Sequence, residues 1–143
     1  MREITVKDYE EVLAIDAVTR RTLELVSNAR DGGLPGTLFS LMNLCRSVGG
    51  SRLLRQWLLN PLTSVAGIHA RQAAVTTMKQ ELQLRRSTFE ILKNVPDIER
   101  IAARIELKVV SPRELAALRD ALCLAPRLVQ GLSGQAGLLS EVS

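Results

Sequence analysis

Thr37 to Leu62 constrains the fold of this chain more than any other stretch. Leu53, Leu54, Trp57 and Leu58 recur at i, i+1, i+4 and i+5, so a helix gathers them on one stripe that needs a partner to bury it. The pattern places the helix start near Ser51 as N-cap, with Gly49 and Gly50 as a flexible approach. Pro61 ends it by disfavouring helical geometry at Asn60. Arg52, Arg55 and Gln56 are left on the opposite side for solvent or a partner.

The composition limits what that helix packs against. In 143 residues the hydrophobic share is 46% while aromatics are 3%, so the core must be built from Leu, Ile, Val and Ala, which favours packed helices. No window approaches the roughly 18 apolar residues of a membrane span, and the first residues do not form a signal peptide; a soluble, cytoplasmic protein is expected. Cys45 and Cys123 lack CxxC spacing, and His69 is the one histidine available to join them. Buried reduced thiols are therefore expected, with neither disulfide nor metal site.

The formal charge of +4 is unevenly spread. Between Asp31 and Glu81 there is no acidic residue, while Arg46, Arg52, Arg55, Arg71 and Lys79 contribute five positive charges. Removing those five from 19 bases leaves 14 against all 15 acids elsewhere, so the excess lies in this segment. Such a run attracts phosphate or an acidic partner. Solvated helix faces whose apolar stems lie on the core are the preferred reading, because no aromatic or glycine-rich nucleic-acid motif accompanies the charge.

Elsewhere the punctuation is clear. Residues 12–15 read as a short strand or extended lead-in. Asp16 caps a short helix carrying Thr19, Leu23 and Val26, and the run from Asp31 to Gly36 is a loop. Thr37 caps a helix through Leu38, Leu41, Met42 and Cys45. Thr63 or Ser64 opens a longer one with Ile68, Gln72, Val75, Met78 and Leu82 on one face, a joint falls at Gln83 to Arg86, and a second helix carries Phe89, Ile91 and Leu92. Asp97 caps a helix whose seam is Ile98, Ile101, Ala102 and Ile105. Ser111-Pro112-Arg113-Glu114 is a capping box, followed by Leu115, Leu118, Leu122, Ala125 and Val129, with a kink expected at Pro126. Leu138-Leu139 begins another helix. The fold class is all-α, a bundle-like arrangement of about six helices with one short N-terminal strand at most.

No catalytic constellation emerges. The pattern G-x-x-x-x-G-K-[ST] that cradles nucleotide phosphates is missing, and the glycine-rich run at Gly32 to Gly36 is followed by neither Lys-Ser nor Lys-Thr. His69 has no persuasive nucleophile, and Asp97 and Glu99 are too close in sequence to share a helix face. No catalytic, cofactor-binding or metal residue is assigned.

Four segments together resemble the MutS family of DNA mismatch-repair ATPases, at the start of its core (lever) domain. They are Ile15 to Leu25, Gly50 to Leu62, Asp97 to Ile105 and Ser111 to Arg119, in order and at family spacing across about Val12 to Leu132. Gly50, Ser51, Arg52, Leu54, Trp57, Leu58, Pro61, Asp97, Arg100, Ser111, Glu114 and Leu118 carry the signature. Ahead of Gly50 this chain departs from the family, with Asn43 for the usual Asp and Cys45 and Ser47 for two Thr. The resemblance implies residues 1–14 as a lead-in or linker, 15–132 as the N-terminal part of the core domain and 133–143 as a tail.

In that family the ATPase, with its ATP and Mg, lies far downstream, and mismatch reading uses a Phe-x-Glu motif in an N-terminal domain. Here Phe39 precedes Ser40-Leu41 and Phe89 precedes Glu90-Ile91. The resemblance therefore implies a catalytically silent coupling segment excised from a longer bacterial protein of the cytosol or nucleoid. That protein's expected partners are mismatched duplex DNA, a second MutS subunit and a MutL-type factor. Apolar surface left uncovered in the fragment would favour self-association. Three alternatives stay open: a stand-alone basic DNA-binding module using Arg46, Arg52, Arg55, Arg71 and Lys79, a MutS paralogue acting in recombination, and an unrelated helical interaction domain.

Overall fold

The computed structural model describes residues 12–133 and is all-α. Among the described residues seven helices follow in order: α1 (Ala17–Thr22), α2 (Leu38–Met42), α3 (Val48–Leu59), α4 (Val65–Gln80), α5 (Leu82–Leu92), α6 (Ile98–Glu106) and α7 (Pro112–Ser133). Among the described residues there is no strand; Val12 makes one isolated antiparallel bridge with Leu62, and Leu13 N donates to Pro61 O at 2.8 Å. The lead-in is thus extended without belonging to a sheet. The expected helix at Leu138-Leu139 and most of the lead-in and tail lie outside the described residues. Two compact units form, residues 12–43 with 54–69 and residues 44–53 with 70–133.

In the first unit, Asp16 caps α1 as its sequence position suggests, accepting from Val18 N at 2.8 Å and Thr19 N at 2.9 Å. The helix stops at Thr22, short of Val26. It stops through Glu24, which takes the left-handed conformation (φ 49°) while Glu24 N donates to Arg21 O and Leu25 N to Arg20 O. That turn presents the Glu24 and Leu25 carbonyls to the start of α2, where they accept from Leu38 N and Phe39 N. Two of the four amides a helix start leaves open are satisfied this way. Thr37 supplies a third: its hydroxyl accepts from Ser40 N at 3.1 Å and donates to Leu34 O at 2.7 Å, so it can be 1% exposed. Leu25 and Phe39, joined by that backbone bond, are buried as well. Gly32 and Gly36 hold φ of 73° and 84° in the intervening loop, where side chains would be strained.

The helix expected to be capped by Ser51 is capped four residues earlier. Ser47 Oγ accepts from Gly50 N at 3.1 Å and Ser51 N donates to Ser47 O at 3.1 Å, so Ser47 is the cap and both glycines lie inside the first turn. Pro61 ends the helix as expected. Its apolar stripe is only partly covered: Leu54, Trp57 and Leu58 are half-buried and Leu53 is 46% exposed.

In α4, which Ser64 caps through Gly67 N, the buried face includes Ala73, Ala74, Thr77 and Met78 rather than Val75, which is 66% exposed. Thr77 tolerates burial because its hydroxyl donates to Ala73 O. The joint between α4 and α5 is Glu81, so Gln83 to Arg86 lie within α5. α2 likewise ends before Cys45.

In the second unit α7 packs against α5 and α6. Ile101 on α6, 2% exposed, is its most deeply buried large side chain among the described residues, and Ala121 on α7 is buried too. The expected seams are corrected in detail. Ile98, Ala102 and Ile105 are exposed around Ile101, and α7 buries the side carrying Ala117, Leu118, Ala121, Leu124 and Leu128. The line of Leu115, Leu122, Ala125 and Val129 faces outward. Pro126 sits within α7 without ending it. Both cysteines are free and exposed, contrary to the expected burial.

Candidate functional site

Six charged side chains of the second unit, Arg52, Asp97, Glu99, Arg100, Arg104 and Glu114, form ion pairs around the starts of α6 and α7. At the start of α6, Asp97 accepts from Arg100 N at 3.2 Å and so caps the helix. The same carboxylate takes both arms of the Arg52 guanidinium: Nη1 donates to Oδ2 at 2.8 Å and Nη2 to Oδ1 at 2.6 Å. Nη2 also lies 2.9 Å from Glu99 Oε2. Two parallel donors meeting two oxygens fix an angle as well as a distance, which a lysine would not.

The environment of Asp97 is one-sided. Its side chain is 15% exposed against 43% for Arg52. The Arg52 hydrogen bonds, with the Arg100 amide and the nearby positive charges, outweigh desolvation and pull its carboxyl down to about 2. Arg52 is correspondingly raised, first by its bonds to Asp97 and then by the charges of Asp97 and Glu99.

A second carboxylate repeats the arrangement at α7. Ser111 N and Ser111 Oγ both donate to Glu114 Oε2, at 2.9 and 3.0 Å, and Glu114 N donates back to Ser111 Oγ at 3.3 Å, completing the capping box. Two arginines one helical turn apart on α6 reach the same carboxylate: Arg100 Nη2 is 3.5 Å from Oε1 and Arg104 Nε is 3.1 Å from Oε2. The Arg104 contact is close enough for an ion pair but off the angle of a hydrogen bond, which leaves its buried Nε without a hydrogen-bond partner. Its Nη2 donates to Val109 O, beyond the left-handed Lys108 (φ 57°) that ends α6. The Ser111 amide and hydroxyl, then the two arginines, hold Glu114 below the usual carboxylate range.

The structure thus brings Arg52, Asp97, Arg100, Ser111 and Glu114 of the signature into one connected set. Gly50 and Ser51 lie in the opening turns of α3, with Gly50 next to the Ser47 cap. Leu54, Trp57 and Leu58 lie along α3, Pro61 accepts from Leu13, and Leu118 lines the half-buried side of α7. The basic run does not act as a set. Arg52 is engaged by carboxylates and Arg46 stacks over the Phe89 ring at 5.5 Å. Arg71 is half-buried and takes part in an interaction of its own, while Arg55 and Lys79 are exposed.

The sequence assigns no role to Ser47 or Arg104, and Glu99, expected to be kept apart from Asp97 by its spacing, meets the same guanidinium. Ser47 stands three residues before an amide it caps, and Arg104 repeats Arg100 one turn on, so both carried a local signal. Among the described residues no group of three or more His, Cys, Asp or Glu is placed to hold a metal, and no helix is long and apolar enough to cross a membrane. His69 is exposed.

Comparison with known proteins agrees with the segments that carry this geometry. The family model described as MutS domain III matches residues 18–142. The chain is 42% identical over 129 residues to the DNA mismatch repair protein MutS of Desulfosudis oleivorans, an alignment that covers 90% of this chain and 15% of that relative.

Proposed function

This chain belongs to the MutS family, and from that we propose that it is a structural and allosteric core segment of a mismatch-repair protein. It couples the binding of mismatched DNA to ATP-driven clamp movement made elsewhere in the longer protein. The observation that carries the reading is the linked set of helix starts. Asp97 ties α3 to α6 and Glu114 ties α6 to α7, so a push on one helix is delivered to the next as rotation of a stiff body. Nucleotide turnover, Mg binding, the second subunit and the MutL-type partner belong to the parts beyond this segment. Within it we assign no catalytic role to any residue.

The reading of the chain as a basic DNA-binding module has less support. A phosphate-binding surface needs several free cations on one face, whereas Arg52 and Arg46 are turned to partners within the chain. A salt-dependent gel shift of the isolated chain separates the two: the coupling segment binds duplex DNA weakly, with no preference for a mismatch. In the full-length protein, Trp57→Ala and Leu118→Ala slow ATP-dependent release from DNA more than they weaken nucleotide binding. Unaltered release in both would end the coupling proposal.

A further inference from the structure

We propose that Arg52 is a positioning residue for this coupling, a clamp that sets the direction in which α3 meets α6. The inference rests on the coupling reading above and adds the atoms that transmit the motion. The first two residues of α3 bring little packing of their own: Val48 is 52% exposed, and a Cβ built at Gly49 meets nothing within 4 Å. The Ser47 hydroxyl closes the first turn onto itself, and Arg52 grips a distant element, 45 residues away in sequence.

The acceptor is also unusual in its double duty. Asp97 is at once the cap that starts α6 and the anchor of the clamp, so displacement of Arg52 acts directly on the geometry of the α6 start. Arg100, whose amide Asp97 accepts, sends its own guanidinium on to Glu114, which in turn accepts from the amide and hydroxyl of Ser111, the cap of α7. Three helix starts are therefore joined in series through two carboxylates. Arg52 is 43% exposed against 15% for Asp97, so water screens the pair from the arginine side and discounts what it adds to stability. The bidentate geometry defines orientation, which is what a coupling element needs.

The test uses a full-length MutS protein carrying this segment, with Arg52→Met, Arg52→Lys, Asp97→Asn and the Arg52→Met/Asp97→Asn double variant. Asp97→Asn retains an oxygen for Arg100 N and removes the charge, so it separates clamp from cap. Arg52→Met and Asp97→Asn each slow ATP-dependent release from a mismatched duplex about tenfold, while dissociation constants for nucleotide and for DNA stay within about twofold. Arg52→Lys falls between them and the wild type. The double variant is no slower than the slower single one, because both changes remove the same contact. A purely stabilising role would instead lower the unfolding temperature and weaken binding and release together.

Release at the wild-type rate in Asp97→Asn overturns the proposal, as does a double variant whose losses multiply. Should Arg52→Met fail to fold, Asp97→Asn and Arg52→Lys decide by the same criterion. If Trp57→Ala and Leu118→Ala slow release while the clamp variants do not, the clamp falls and the coupling reading stands.

Discussion

Ser111 and Glu114 hold each other from both sides: the Ser111 amide and hydroxyl donate to Glu114 Oε2, and the Glu114 amide returns a bond to Ser111 Oγ. Without the serine side chain, α7 loses a cap on its first turn and Glu114 loses one of its two Ser111 donors. Ser111→Ala is expected to lower the unfolding free energy by about 1 kcal/mol. Thermal unfolding followed by circular dichroism should show the midpoint fall by about 4 °C, with Ser111→Thr close to wild type.

Asp97 makes stability depend on acid. Its carboxyl is lowered from 3.8 to about 2 in the folded chain, so the charged form is favoured by folding. The contribution is complete above the unfolded value near 3.8 and disappears as pH falls through about 2. Urea midpoints measured between pH 5 and pH 2 should therefore drop more steeply for the wild type than for Asp97→Asn, which has no proton to take up. Parallel curves for the two proteins would contradict the assignment.

Lys108 ends α6 in the left-handed region, at the position where glycine is usual: Lys108 N donates to Ile105 O and Val109 N to Arg104 O around it. A side chain there is strained, and glycine relieves that strain at the cost of some freedom in the unfolded chain. Lys108→Gly should raise the unfolding free energy by roughly 0.5 to 1 kcal/mol, whereas Lys108→Val should lower it. Chemical denaturation of the two variants checks the opposite signs.

Leu115, Leu122 and Val129 repeat every seventh residue on the outward side of α7, with Leu122 60% exposed. The isolated chain is expected to self-associate through this line as its concentration rises. Sedimentation velocity should show the mean mass fall toward one chain in Leu122→Gln, with the unfolding free energy changed by no more than about 0.5 kcal/mol because little burial is lost.

What could be read beforehand follows how far apart the interacting atoms lie in sequence. Asp16, Thr37, Asp97 and Ser111 cap as their positions suggested, since a cap involves an oxygen and an amide two or three residues apart. Ser51 stands out as the cap of α3 because Gly49 and Gly50 before it resemble a loop, but Ser47 accepts from the Gly50 amide and keeps both glycines helical.

The choice of buried face was harder. On α7 the leucines at heptad spacing drew attention to Leu115 and Leu122, while the helix contact runs past Ala117 and Ala121, whose small side chains allow close approach and register weakly as hydrophobic. Cys45 and Cys123 are exposed for a related reason: the usual burial of cysteine is a tendency of the residue type, and the neighbouring helices decide the outcome. The Arg52 to Asp97 contact had no local signal. Both residues belonged to the signature, yet nothing in a run of residues says which arginine meets which carboxylate 45 positions later.

The paired glycines that open α3 are not equivalent to anyone wishing to harden this helix against fraying. A methyl group at Gly49 would project into open space and restrict the unfolded chain, a gain at no steric expense. The same methyl at Gly50 would press on Ser47 Oγ from 3.1 Å, jostling the hydroxyl on which the first turn depends. Thermal hardening by alanine replacement is open at one of these neighbours and obstructed at the other.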